Sequence, residues 1–264
     1  MALKLKTASA VHANRGVEQK YRKTLDAMIA DMIGSVEYWL KAGYKKTPPR
    51  MVALVDMAED ASPSQTIKKL LDALAKRWIQ KFDDAAPRIA DAYLKSMFKT
   101  SDSAMRQALK DAGWTVNFKM TPAVRDAFNA SLAENVGLIR SIPEKYLQQV
   151  EGVVMRSYAA GRDLETMTKD LRKLHPITQR RAELIARDQS NKANAVVNRA
   201  RQMELGITEA IWMHSHAGKE PRPDHVAANG RIYKIAEGCK ISGEYIQPGE
   251  EINCRCTSRP VLPF

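Results

Sequence analysis

The sequence predicts a mostly α protein: an elongated helical N-terminal part followed by a small, turn-rich α+β module at the C-terminus. Three observations predict it. Apolar residues recur at steps of three and four through most of residues 17–205. Cap-type residues and prolines punctuate those runs. After Gly206 the helical period stops, and prolines and glycines multiply. These shifts divide the chain into a helical region, 1–140, and a domain, 141–264, whose helices occupy 141–205 and whose β module occupies 206–264.

The elements follow in order. Leu25, Met28, Ile29, Met32, Ile33, Val36 and Leu40 share one face of a helix over 17–42, with Gly43 at its stop and Thr47-Pro48-Pro49 breaking the chain. Ser62-Pro63-Ser64-Gln65 combines a cap, a first-turn proline and a reciprocal Gln. Ile67, Leu70, Leu71, Leu74, Trp78 and Phe82 continue that helix. Pro87 starts or kinks a further piece toward Phe98, and a short helix runs from Ser101 to Ala112. Trp114 to Phe118 reads as a strand or extended linker. Thr121-Pro122 opens a helix to about Ile139, and Ser141-Ile-Pro143-Glu144 reads as a second capping box. Gly161 closes that helix, and Asp163 caps a short one through Leu174. His175-Pro176 breaks the chain, and Thr178 caps a long helix ending at Gly206. Beyond it, Ala210–Met213 and Arg231–Ile235 read as strands between turns. A fragment 160–264 is expected to fold alone. Trp39, Trp78 and Trp212 are assigned to the core.

Composition narrows the function. The chain has 264 residues, 44% hydrophobic and 27% charged, which excludes a disordered tail, a collagen-like fibre and a disulfide scaffold. No apolar run reaches the ~18–20 residues that cross a bilayer, and the first residues, with Lys4, Lys6 and Arg15, lack a hydrophobic signal core. No membrane partner is expected. Three cysteines, an odd count, point to a reducing, cytosolic site of assembly. A net charge of +12 suits a polyanion or an acidic partner. Aromatics make up only 6%, which argues against single-strand binding by base stacking.

The chemistry-bearing residues concentrate in the last quarter. His214, His216, His225, Cys239, Cys254 and Cys256 are the densest constellation. A small module gains stability from a structural metal, and zinc takes Cys and His ligands. The same residues also read as buried thiols and hydrogen-bonding imidazoles. No HExxH, GxSxG or P-loop sequence occurs, so no enzymatic activity is expected. The alternative is a metal-dependent nuclease or hydrolase centred on the His/Cys cluster, with Arg222 and Asp224 beside His225. The helix over 178–205 carries Arg180, Arg181, Arg187, Lys192, Arg199 and Arg201 against Glu183, Asp188 and Glu204. Arg180, Arg181, Arg187, Lys192 and Arg199 are therefore candidates for contact with DNA or a partner. The bland reading is a solvated face. Asp188, Gln189, Asn191, Asn194 and Asn198 add a polar stripe, whose asparagines could instead bond the loops of the β module.

Several stretches together resemble a known family. They are Ser141-Ile-Pro-Glu-Lys-Tyr146, Gly161-Arg-Asp-Leu164, the run Arg180 to Asp188, Glu204-Leu-Gly-Ile207, Trp212, Pro221-Arg-Pro-Asp-His225, Asn229-Gly230 and Pro248-Gly-Glu-Glu-Ile-Asn-Cys-Arg-Cys256. In this order they resemble the Mu F-like minor head, or head-morphogenesis, proteins of phages. The resemblance implies that 141–264 is a head-morphogenesis domain. It implies a structural role in head assembly near the portal, a place in the virion after assembly in the host cytoplasm, and portal and other head proteins as partners. Packaged DNA is a further implied contact. The motif positions are Trp212, Arg222, His225, Gly230, Asn253, Cys254, Arg255 and Cys256. Relatives carry an acidic residue after the Trp strand, where this chain has His214-Ser-His-Ala-Gly-Lys219. Cys239 lies outside the motif, which leaves His225, Cys254 and Cys256 as metal candidates, with a histidine from elsewhere as fourth ligand. No cofactor is expected; zinc is the metal this set would take.

Overall fold

The computed structural model describes residues 5–49, 62–216 and 220–264, so Lys4 and Ala217 to Lys219, read above, lie outside the described residues. Among the described residues, five helices come first: α1 (Arg15–Lys46), α2 (Pro63–Asp111), α3 (Pro122–Ala159), α4 (Leu164–Arg172) and α5 (His175–Glu204). The remainder is β1 (Glu209–Met213), α6 (Pro223–Ala227), β2 (Ile232–Lys234), β3 (Cys239–Ile241), β4 (Glu244–Ile246) and β5 (Thr257–Pro260). The protein is mostly α with a small β module, as its periodicity predicts.

Local chemistry sets several helix starts. Ser62 and Gln65 cap each other: Gln65 N–H donates to Ser62 Oγ at 3.3 Å and Ser62 N–H to Gln65 Oε1 at 3.1 Å. Thr121 Oγ1 accepts from Val124 N–H at 3.3 Å, and Asp163 Oδ1 from Thr166 N–H at 2.9 Å. Other expected boundaries are corrected. Pro87 lies inside α2 and Pro143 inside α3, so neither begins a helix. Each removes one backbone bond, at ~3 kcal/mol. The buried neighbours Phe82, Ala86, Ala90 and Ile139, Ile142, Tyr146 offset that cost. Gly43 does not end α1. A Cβ there would stand 2.6 Å from Leu70 Cδ2, so glycine permits close packing of α2. α5 begins at His175 rather than Thr178, whose hydroxyl donates back to Leu174 O at 3.0 Å. Residues 114–120 carry no strand. Trp39 is 45% exposed, edge-on to Tyr38, and is not core.

The chain forms two compact units. One gathers Met1–Tyr21, Ala90–Glu134 and Leu184–Phe264; the other Arg22–Ile89 and Asn135–Glu183. The cut proposed at 140/141 falls inside α3, and the units take segments from both sides of it. In the second unit, buried apolar residues line α1 (Leu25, Ile29, Met32, Leu40), α2 (Ile67, Leu74, Trp78) and α3 (Val150, Val154). Tyr44 and Tyr158 meet edge-on at 5.1 Å, and Trp78 Nε1–H donates to Ser35 Oγ at 3.2 Å.

The first unit holds the β module. β1 is the middle strand of an antiparallel sheet ordered β2-β1-β5, with Ala210 opposite both Tyr233 and Pro260. β3 and β4 form a separate hairpin. Residues 6–8 extend the sheet edge: Thr7 bridges Val261, and Leu262 N–H donates to Lys6 O at 2.8 Å. One core contains Trp212, Tyr233, Ile235, Cys254 and Cys256 together with Ala8, Val11, Met105, Ala108 and Leu109. A fragment 160–264, expected to fold alone, would lack Ala8, Val11, Met105, Ala108 and Leu109 of this core.

α5 is the polar spine of this unit. Asp188, Gln189, Ser190, Asn194, Asn198, Arg201 and Gln202 are all buried, so the stripe is not a solvated face. The asparagines bond the N-terminal segment and not the β-module loops: Asn194 and Asn198 Nδ2 donate to Val11 O at 2.9 and 3.2 Å. Thr257 Oγ1 reaches the same carbonyl at 2.9 Å.

Candidate functional site

Trp212, the penultimate residue of β1, enters the core and is fully buried. Its carbonyl accepts Gly230 N–H at 2.8 Å, and its N–H donates to Arg231 O at 2.8 Å. Gly230 sits at φ +84 with nothing within 4 Å of a virtual Cβ, so backbone conformation and not space selects glycine. Asn229 Oδ1 accepts His214 N–H at 2.9 Å and ties this turn to the end of β1. The short α6 carries His225 beneath Trp212, rings edge-on at 5.2 Å.

The imidazole of His225 has a different environment at each nitrogen. Nδ1 faces two thiols, Cys254 Sγ at 3.5 Å and Cys256 Sγ at 3.7 Å. Nε2 lies 3.0 Å from Glu251 Oε2. The approach is close but poorly aligned, and both buried atoms lack a proper hydrogen bond. Arg222 Nη1 reaches the same Glu251 oxygen at 3.0 Å, and Arg222 Nη2 donates to Ile252 O at 3.0 Å. The ligand atoms of His225, Cys254 and Cys256 all lie within 4.8 Å of one another, and all three residues are buried. Cys239 is outside this group; it is buried on β3, and burial pushes its thiol up.

The loop that presents the cysteines is held by α5. Asp188 Oδ1 accepts Asn253 N–H at 2.8 Å, and Arg187 Nη2 donates to Asn253 Oδ1 at 3.0 Å. Asn253 sits at φ +63, a left-handed conformation that Asn tolerates better than most residues. Gly249, at φ +86, lies so close to α5 that a Cβ would stand 2.9 Å from Ala195 Cβ. The two thiols are electrostatically unequal. A hydrogen bond from the Cys256 thiol, backbone N–H groups of Cys256 and Gly249, and nearby His225 hold the Cys254 thiol below the usual range. The same partnership and burial push Cys256 up.

A cavity of about 670 Å³ opens beside the cluster, its wall including Arg187, His214, Arg222, His225, Cys254 and Arg255. His214 is 8% exposed; burial, then His216 and His225, hold its pKa below the ordinary imidazole value. The structure thus brings Trp212, Arg222, His225, Asn253, Cys254, Arg255 and Cys256 to one place, with Gly230 shaping the turn beneath. It does not gather the five cations of α5. Arg181 donates to Ser141 Oγ at 2.8 Å, Lys192 pairs Glu134 at 3.3 Å and Asp188 at 3.2 Å, and Arg199 reaches Ala236 O at 3.4 Å. Arg180 is exposed.

Sequence reasoning missed Glu251 and the role of Asp188. The signal for Glu251 was its place three residues before Cys254. For Asp188 there was none, since a helix position does not say which loop covers it.

Fold and site together define a class: a helical protein whose small C-terminal β module buries a His/Cys cluster between Pro-Arg-Pro-Asp-His and Asn-Cys-Arg-Cys. Residues 148–259 match the family described as phage Mu protein F like protein, which bears out the resemblance over that segment. A Haemophilus influenzae Rd protein, itself titled uncharacterized, is 30% identical over 260 residues, covering 96% of this chain and 55% of the relative. The chain thus spans about half the length of that curated relative. No solved structure matches the chain. Among the described residues, no helix is long and apolar enough to cross a membrane.

Proposed function

We propose that this chain is a minor head protein of a phage particle, a structural component of head assembly at or near the portal. Its partners on this reading are the portal and other head proteins, and packaged DNA is an additional contact. The observation that carries it is the Mu F-like match over residues 148–259, which coincides with the β module and the helix that organises it. The burial of the motif residues supports a structural role: Trp212, His225, Cys254 and Cys256 are each under 9% exposed. A net charge of +12 supports a place beside concentrated DNA.

The test is particle composition. Heads are purified on a density gradient from cells that produce the phage encoding this chain, and their proteins are identified by mass spectrometry. The reading expects the chain in purified heads, and fewer filled heads when its gene is deleted. Its absence from heads, with unchanged yield on deletion, would overturn it. The DNA contact is tested with a duplex oligonucleotide, whose log affinity should fall with log salt at about −0.9 per neutralised phosphate. Salt-independent or undetectable binding removes that contact. The competing hydrolase reading gains only if the intact chain cleaves duplex DNA and His225→Ala abolishes the cleavage.

A further inference from the structure

We propose that His225 Nδ1, Cys254 Sγ and Cys256 Sγ bind one zinc ion through an open, three-ligand site, with Glu251 and Arg222 as the shell that orients the histidine. The proposal is independent of the head-protein reading.

The first argument is distance. Tetrahedral zinc with bonds of ~2.3 Å to sulfur and ~2.0–2.1 Å to nitrogen places each sulfur about 3.5–3.6 Å from the nitrogen. The two observed separations are 3.5 and 3.7 Å. Both sulfurs therefore already stand at the distance from the nitrogen that one ion requires.

The second argument is hydrogen-bond inventory. Both sulfurs converge on a single imidazole nitrogen, which as an acceptor has one lone pair. One thiol can donate to it; the other bonds its neighbour's sulfur, a weak acceptor. A cation at the centre satisfies all three atoms at once, with both thiols giving up their protons to solvent on binding.

The third argument is the far side of the ring. Zinc-ligating histidines characteristically donate the remaining ring N–H to a carboxylate or carbonyl, which fixes the tautomer. Here Glu251 Oε2 lies 3.0 Å from Nε2, and Arg222 holds that carboxylate at 3.0 Å. The present contact is imperfectly aligned.

The fourth argument concerns openness. Among the described residues, no further Cys, His, Asp or Glu joins the three within the same radius. His214 lies on the cavity wall, but neither of its ring nitrogens falls within that radius. The fourth position therefore faces the cavity of about 670 Å³ and takes water or a small anion.

The experiment is cobalt(II) titration of the intact chain, thiols reduced and chelator absent, followed by optical spectroscopy. The proposal expects one equivalent bound, with near-ultraviolet thiolate-to-cobalt absorption and intense tetrahedral visible bands. Cys254→Ser and Cys256→Ser should each weaken the thiolate band by about half, while Cys239→Ser and His214→Ala leave it unchanged. Should the first two variants fail to fold, Glu251→Gln keeps the test alive. It should retain one equivalent but weaken zinc affinity ~10–100-fold in a chelator competition. Azide added to the cobalt form should shift the visible bands. An absent thiolate band in the wild-type chain, or one lost only with Cys239→Ser, overturns the site. Unchanged affinity in Glu251→Gln overturns the orienting shell, and indifference to azide overturns the open position.

Discussion

Asp188, near the middle of α5, accepts the backbone N–H of Asn253 at 2.8 Å, with Arg187 on the Asn253 side chain. Two consecutive helix residues thus hold one loop residue from both sides. Cys254 follows immediately, so this contact sets where the Cys254-Arg255-Cys256 strip begins.

Asp188→Ala should destabilise the protein by about 1.5–3 kcal/mol, the range for a hydrogen bond to a charged group. Lys192, 3.2 Å from the same carboxylate, would also lose its partner. Asp188→Asn should cost less, because an acceptor oxygen remains. Urea denaturation midpoints of the three proteins, compared at constant m, check the order.

Gly249 and Gly230 both require positive φ, but only Gly249 is also crowded. Gly230→Ala should cost ~1–2 kcal/mol from backbone strain alone. Gly249→Ala should cost a further ~1–3 kcal/mol, because its Cβ must displace Ala195. Thermal unfolding of both variants should show Gly249→Ala clearly lower; equal shifts would contradict the crowding.

Arg201 is 3% exposed and pairs with Asp102 through two bonds, Nε to Oδ1 at 2.8 Å and Nη2 to Oδ2 at 2.7 Å. It also reaches Glu204 at 2.8 Å and the Lys119 carbonyl at 2.5 Å, and lies over the Phe118 ring at 4.7 Å. Arg201→Met should cost ~3–5 kcal/mol by leaving Asp102 uncompensated. By contrast, Lys68→Met, which breaks the exposed pairs with Asp72 and Glu151, should leave the midpoint nearly unchanged. Calorimetric midpoints of Arg201→Met and Lys68→Met would separate the two.

The Val11 carbonyl receives Asn194, Asn198 and Thr257, so the N-terminal segment locks α5 to β5. Removing residues 1–13 should raise amide hydrogen exchange first in β5 and at Leu262, with α4 unaffected. Uniform acceleration, or none, would show that the lock is not local.

Much of the fold was legible from local chemistry. The caps at Ser62, Thr121 and Asp163, and Trp212 on an inward strand position, follow from short-range rules. What was not legible depended on tertiary contacts. Pro87 and Pro143 read as helix starts because their cost is local, whereas the burial of their neighbours that offsets it depends on tertiary packing. The charged face of α5 read as solvated because nothing in its spacing reveals that Asp102 meets Arg201 or that Val11 meets Asn194 and Asn198. Within the site, His225, Cys254 and Cys256 were visible as residue types, while Glu251 became evident only once α6 and the Cys loop met.

The most direct measurement is zinc per chain, by inductively coupled plasma mass spectrometry of untagged protein purified without chelator and with thiols reduced. The account predicts about one zinc per chain, falling toward zero in His225→Ala. Native protein with reduced thiols and essentially no zinc would contradict it, leaving His225, Cys254 and Cys256 as packing and hydrogen-bonding groups of the module core.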